Sequence, residues 1–181
     1  MFGPTINSGF PTPVHFGDRQ TLLLHRALDY YRAAQFRGWL HRILAAFTGR
    51  SYKVKSLKEL VAEGRVSGRR YSGLRGVPLN QILGSEGRSR DFDCRFDPLR
   101  GHTKPRWLKV MMARLADVPL PPVELIQVGT AYYVRDGHHR ISVAHFLGES
   151  EIEAEVTVWE VAGPAAPVGA ATPAAAEASA A

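Results

Sequence analysis

The chain has 181 residues, of which 45% are hydrophobic and 22% charged, as is typical of one globular domain with extensions rather than two full domains. No apolar run is long enough to span a membrane. Residues 1–20 lack the basic start and apolar core of a signal peptide, so the cytoplasm is the expected location. Cys94 is the single cysteine, which excludes an internal disulfide and a zinc site built from cysteines.

The net charge of +6 is unevenly distributed. Residues 1–110 carry 20 Lys/Arg against 8 Asp/Glu, a balance of +12, whereas residues 111–181 carry 3 against 9, a balance of −6. A basic half beside an acidic half favours an anionic partner, such as nucleic acid or a nucleotide. A solvated basic surface without any partner explains the same count equally well.

The N-terminal part of the chain divides into a lead and an arm. Residues 1–19 are rich in proline and glycine, which predicts a flexible lead, and residues 20–68 are predicted to form a helical arm. The apolar side of the arm's helix changes direction, because residues 24–31 and residues 36–47 favour roughly opposite faces. The helix is therefore expected to kink or break near residues 33–36, or to bury two faces, one of them against the domain or a second copy in a homodimer.

The remainder of the chain predicts an α+β domain with a small mixed sheet over residues 69–161. "VPLNQIL" from Val77 is a strand candidate, and a hairpin is expected around Gly129-Thr130. Residues 151–159 alternate between acidic and apolar side chains, which indicates another strand. Residues 162–181 are rich in alanine and proline and are predicted to be disordered.

The segment Asp136-Gly137-His138-His139-Arg140, here called the joint, connects a predicted strand to a short helix. A helix that begins at a glycine turn directs its first N–H groups and the positive end of its dipole to one spot, which favours an anion. Arg140 adds a bidentate donor suited to phosphate, while His138 and His139 can donate hydrogen bonds and be partly charged near neutral pH. The alternatives are that Asp136 is only a helix N-cap and that one histidine is a core residue. No metal site is expected, because adjacent helical histidines point ~100° apart.

Between about Arg69 and Glu160 the chain contains, in order, a Pro-Leu-x-x-Ile strand, an arginine-bearing loop, a helix, a Pro-Pro-Val strand, the joint and an Ile-x-Ala-x-Val strand. This order resembles the ParB/sulfiredoxin-like domain family. In ParB proteins the turn that matches the joint binds the phosphates of CTP, and in sulfiredoxins it binds those of ATP. The resemblance therefore implies a nucleoside triphosphate, CTP or ATP, with Mg²⁺ as the cofactor and the joint as its phosphate site.

The chain departs from both parent groups of that family. Sulfiredoxins have a reactive cysteine where this chain has His138, so sulfinic acid reduction is not expected. ParB partition proteins have a Gly-Glu-Arg-Arg turn and a following helix-turn-helix DNA reader, whereas this chain has histidines in the turn and continues into residues 162–181. A partition clamp is therefore not expected either.

Small-molecule kinases with ParB-like domains, such as the free-serine kinases, carry a catalytic glutamate just after the first strand. "PLNQILGSE" places Glu86 at a comparable position, followed by Arg88 and Arg90 near the loop with which ParB proteins contact nucleotide. The alternative for Glu86 is an exposed loop acid. The leading prediction is a ParB-like nucleotide-binding protein that acts at nucleic acid through its basic half. A phosphotransferase with Glu86 as base and a nucleic-acid-binding module without nucleotide are the alternatives.

Overall fold

The computed structural model describes residues 16–49, 51, 53–62 and 65–162. The helices are α1 (Phe16–Thr48), α2 (Leu57–Ala62), α3 (Lys104–Leu115) and α4 (His138–Leu147). The strands are β1 (Lys55–Ser56), β2 (Arg65–Pro78), β3 (Ile82–Ser85), β4 (Val123–Val128), β5 (Ala131–Asp136) and β6 (Glu151–Ala162). Most of the predicted lead and tail lies outside the described residues. Among the described helices, none is both long and apolar enough to cross a membrane.

The sheet is mixed, with the strand order β1-β3-β5-β4-β6-β2. β1, β3 and β5 run parallel to one another, β4 runs antiparallel to β5 and parallel to β6, and β2 runs antiparallel to β6. Because β3 and β5 are parallel neighbours, their last residues, Ser85 and Asp136, lie at the same edge of the sheet. The predicted α+β class is confirmed, as is the hairpin around Gly129-Thr130.

The sheet extends further towards the N-terminus than the predicted domain boundary at residue 69. β1 pairs with β3, and β2 begins at Arg65, so part of the predicted arm belongs to the sheet. The predicted "VPLNQIL" strand is divided, because β2 ends at Pro78 and a 3-10 turn over Leu79–Gln81 separates it from β3. Proline has no N–H with which to continue a ladder, which fits its place at a strand end.

Helix α1 is a single run of 33 residues that begins within the predicted lead. Ala27, Tyr31 and Ala34 are buried where α1 meets α3 and α4. The apolar face of the second half is uncovered, since Phe36 is 62% and Phe47 is 86% exposed. The helix therefore does not break near residues 33–36, and within the described part of the chain it buries only one of its two apolar faces.

The two faces of the sheet carry separate clusters of buried side chains. Val134 belongs to the cluster that includes Ile141 of α4, whereas Tyr133 belongs to the cluster that includes Leu57 of α2 and Trp159 of β6. Successive residues of a strand point to opposite faces. Neighbouring residues at the ends of β3 and β5 therefore point to opposite faces of the sheet, and a side chain on one face cannot contribute to a site on the other.

Candidate functional site

The joint forms the start of α4 and depends on Gly137. This residue has φ of 93°, in the left-handed region that favours glycine. A Cβ added there would lie 2.5 Å from Cγ1 of Val123, so the backbone also approaches β4 too closely for any side chain. Gly137 occupies the N-cap position, and no side chain caps the helix. Among the described residues, the first N–H groups of α4 therefore have no side-chain acceptor. Asp136 does not cap the helix, so the alternative that made it the N-cap is wrong.

The joint lines a cleft of about 410 Å³ between α4 and α3. Its cationic side chains are Arg88, Arg106, Lys109 and Arg140, and its one carboxylate is Asp136. Sequence reasoning missed Arg106 and Lys109, which lie three residues apart on α3 and so share a face. The three-residue spacing is their only sequence signal, and it is also common on solvated helices. The excess of cations makes the cleft attractive to an anion.

The guanidinium of Arg140 is largely committed to the protein itself. Its Nη1 donates to the carbonyls of Pro121 and Pro122 at 2.6 and 2.8 Å, and its Nη2 donates to Asp136 at 2.6 Å. These contacts fix the start of α4 against the segment that precedes β4. Arg140 therefore builds one wall of the cleft, and most of the cationic charge that remains available comes from the other three side chains.

His138 is buried and holds a defined hydrogen bond. Its Nε2 lies 2.7 Å from Oγ of Ser85, a residue that sequence reasoning also missed. The Ser85 hydroxyl accepts the N–H groups of Gly87 and Arg88 at 3.2 and 2.9 Å. Because both its lone pairs are then used, its own hydrogen is donated to Nε2. His138 is therefore neutral, with its proton on Nδ1.

The pKa of His138 agrees with this hydrogen bond. Burial, then the nearby Arg88 and His139, lowers the pKa of His138 to about 4, against the opposite influence of Asp136 and Asp91. The imidazole is therefore uncharged at neutral pH, which corrects the expectation of partial charge. A neutral ring costs less to bury beside cations than a charged one.

His139 is the unsatisfied group of the cleft. Both of its ring nitrogens are buried, and neither has a hydrogen-bond partner within the described part of the chain. Burial, then Arg88 and Arg106, lowers its pKa to about 4, against the influence of Asp91 and Asp136. A buried polar atom without a partner is costly and calls for an explanation. Because both nitrogens have almost no exposed surface, a ligand in the cleft would supply one only after the ring turns towards it.

Glu86 lies next to the cleft in sequence but does not line it. Its N–H donates to the carbonyl of Val134 at 2.9 Å, which continues the β3–β5 ladder. Its carboxylate accepts a hydrogen bond from Nε of Arg135 at 3.2 Å, and the Arg135 guanidinium lies over the ring of Trp159. Trp159 belongs to the cluster with α2, so Glu86 is directed to the face opposite α4.

The two arginines that follow Glu86 line different cavities. Arg88 lines the cleft, and its Nη1 lies 3.7 Å from Asp91. Arg90 instead lines a larger cavity on the other side of the loop that joins β3 to α3. The structure therefore brings the joint and Arg88 together, and it leaves both Glu86 and Arg90 outside that cleft.

Residues 86–100, here called loop 86–100, are anchored to α1 by two buried carboxylates. Asp97 accepts two hydrogen bonds from Nε of Arg37 and a third, at 2.6 Å, from Nη2. Asp93 accepts the backbone N–H groups of Arg95 and Asp97 and lies 3.1 Å from Nδ1 of His41. His41, Asp93 and Asp97 have metal-ligand spacing, but Arg37 already neutralises Asp97, so we interpret the cluster as an anchor.

No protein-family model and no curated protein matches the chain. Among solved structures, the chain is similar to the crystal structure of a sulfiredoxin from Arabidopsis thaliana, with 21% identity and a TM-score of 0.36. The match covers 47% of this chain and 84% of that chain. The chemistry assigned to the cleft therefore depends on the residues of the cleft themselves.

Proposed function

We propose that the protein binds a nucleoside triphosphate, with its phosphates in the cleft at the start of α4. The observation that carries the proposal is the convergence of Arg88, Arg106 and Lys109 on an uncapped helix N-terminus beside the unsatisfied ring of His139. Cations and free N–H groups together favour phosphate oxygens. When the His139 ring turns towards the cleft, a ligand oxygen provides the partner that its buried nitrogens lack.

The ligand class is a polyphosphate rather than a single phosphate. Besides Arg140, three cationic side chains line the cleft, of which, among the described residues, only Arg88 has a carboxylate neighbour, Asp91 at 3.7 Å, and each can contact a different phosphate oxygen. Mg²⁺ enters with such a ligand because it is commonly held by substrate phosphates and water. CTP and ATP are the candidates taken from the resemblance, and the cleft's apolar side chains, Val110, Leu120 and Pro121, offer a surface for a base or ribose.

Binding is favoured over phosphoryl transfer. A general base must come within hydrogen-bond reach of the proton that it removes. The carboxylate of Glu86 is paired with Arg135 on the other face of the sheet, so the phosphotransferase alternative lacks a base in this arrangement. The proposed activity is therefore ligand recognition.

A thermal-shift and calorimetric titration of the full chain tests the proposal. ATP, CTP and inorganic tripolyphosphate are compared with and without Mg²⁺, because a ligand that binds only the folded state raises the unfolding midpoint. The double variant Arg106→Ala/Lys109→Ala should weaken binding at least tenfold, since each charge-assisted contact contributes roughly 1.5–3 kcal/mol. Both residues are exposed, so the double variant is expected to fold normally.

Lys58→Ala is the matched control, because Lys58 is an exposed lysine of α2 that does not line the cleft. It should bind like the parent. The proposal is wrong if none of the three probes raises the midpoint of the parent chain. It is also wrong if the double variant and the control bind equally well.

A further inference from the structure

A groove of about 910 Å³ lies on the other side of loop 86–100 from the cleft. Its walls come from the end of α1, from β1 with the residues before it, and from loop 86–100. Its cationic side chains are Arg42, Lys53, Lys55, Arg90 and Arg100, and Glu59 is the one acidic side chain among the described residues that line it. The groove is therefore strongly basic and has its own set of residues, separate from the cleft.

The charges of the groove are largely uncompensated. Lys53, Lys55, Arg90 and Arg100 are all exposed, and within the described residues none of them forms a salt bridge. Exposed cations that point into one groove repel each other and raise the local concentration of anions. Four such side chains along one open groove exceed what one phosphate group requires.

Two exposed aromatic rings continue the groove. Phe36 is 62% and Trp39 is 52% exposed, and their rings are stacked with centroids 5.6 Å apart. Together they line a neighbouring hollow of about 430 Å³ that shares Arg42 and Leu99 with the groove. The cationic wall and the aromatic surface therefore form one continuous face, here called the basic-aromatic face.

We propose that the basic-aromatic face binds single-stranded nucleic acid. Proteins that bind single strands combine a positively charged groove along the phosphates with aromatic rings on which the bases stack. The four unpaired cations fit the first requirement, and Phe36 and Trp39 fit the second. In a duplex the bases are already stacked on each other, so they are not available to stack on the exposed rings. The occupant is therefore a single strand, and this site does not require the nucleotide cleft.

Fluorescence anisotropy with a labelled oligothymidine of about 15 nucleotides tests the proposal directly. Lys53→Ala/Lys55→Ala should weaken binding and reduce the slope of log K against log salt by about 1.4, since each phosphate contact to a single strand contributes roughly 0.7. Lys58→Ala/Lys104→Ala removes the same charge at two exposed lysines outside the face, and it should leave the slope closer to that of the parent.

Substitution of Trp39 separates stacking from charge. Trp39→Ala should weaken binding by roughly 5- to 100-fold, whereas Trp39→Phe should retain most of it, because any flat ring can stack on a base. Trp107 and Trp159 are buried, so quenching of the intrinsic fluorescence by the strand should report mainly on Trp39. A duplex of the same sequence should bind more weakly and quench less.

Three results would overturn the proposal. The first is binding that Trp39→Ala and the Lys53/Lys55 variant leave unchanged. The second is equal loss in the Lys58/Lys104 control, which would place the contacts elsewhere. The third is a stable dimer of the chain that does not bind the strand, because a second copy would then cover this face. Each leaves nucleotide binding by the Arg106/Lys109 cleft intact, so the two proposals fail separately.

Discussion

The cleft at the start of α4 and the groove beside the end of α1 both contain more cations than carboxylates, yet they differ in what surrounds the charge. The cleft is about 410 Å³ and is lined by two histidines, one of which has no hydrogen-bond partner for its ring nitrogens among the residues that the structure describes. The groove is about 910 Å³, and its described lining includes five exposed lysines and arginines but no histidine. A positive charge excess therefore does not identify a ligand. Buried unsatisfied groups favour a small ligand, and exposed rings favour a polymer.

The largest expected effect comes from a substitution at Gly137, which should disrupt the cleft and leave the groove intact. Gly137→Ala forces a side chain into the left-handed region and against Val123, whose Cγ1 would lie 2.5 Å away. We expect a loss of roughly 3 kcal/mol in the free energy of unfolding, because strained backbone and overpacking each cost about 1–3 kcal/mol. Nucleotide binding should be lost, while oligothymidine binding should survive below the lowered midpoint. Urea unfolding and the two titrations measure all three quantities.

Gly129→Ala is the control for backbone strain alone. Gly129 also has a positive φ, of 59°, but a Cβ there meets nothing within 4 Å. It should cost about 1 kcal/mol and leave nucleotide binding unchanged. Equal stability losses at the two glycines would contradict the close approach of the joint to β4.

A smaller effect distinguishes the sites by their response to pH. The pKa values of His138 and His139 are about 4 in the folded chain, below the value of about 6.5 expected when unfolded. The unfolded chain then binds more protons between these values, so their contribution to stability is complete above pH 6.5 and is lost as the pH falls towards 4. Between pH 7 and pH 4.5 the free energy of unfolding of His139→Asn should therefore fall by roughly 2 kcal/mol less than that of the parent.

A bound triphosphate should change this response, because a nearby negative charge raises the pKa of an imidazole. Nucleotide affinity should therefore increase between pH 7 and pH 5, with proton uptake in calorimetry. Oligothymidine affinity should stay nearly constant over that range, since the described groove lining has no histidine. A His139→Asn variant with the same pH profile as the parent would contradict this assignment.

The smallest expected effect concerns Glu86. Because its carboxylate pairs with Arg135 away from the cleft, Glu86→Gln should change the affinity for ATP or CTP by less than about twofold, which is under 0.5 kcal/mol. The exposed pair should also contribute less than 1 kcal/mol to stability. Calorimetric titration of the variant measures the affinity, and a tenfold change in either direction would show that Glu86 lies close to the bound phosphates or to their Mg²⁺.

Local patterns predicted the parts of the molecule that depend on neighbouring residues. The hairpin at Gly129-Thr130, the turn at Gly137 and the alternating strand β6 are all recognisable within ten residues of sequence. β2 was not recognisable, because its glycines and arginines hide any alternation and its partner β6 lies about 80 residues away. Arg106 and Ser85 were missed for the same reason, since only the fold brings them to the joint.

Because loop 86–100 is anchored to α1, we expect the folding unit to begin before residue 69, within helix α1. Asp97 is 1% exposed and is neutralised by Arg37 of α1, so removal of the arm would take away both the cation of this carboxylate and part of the surface that covers it. The same loop continues to Arg88 and the cleft. Helix α1 is therefore not an appendage to a domain that starts at residue 69. We expect a fragment that lacks α1 to lose the support of a site more than 50 residues further along the chain, and we expect the minimal autonomous unit to include the helix through Arg37 and His41.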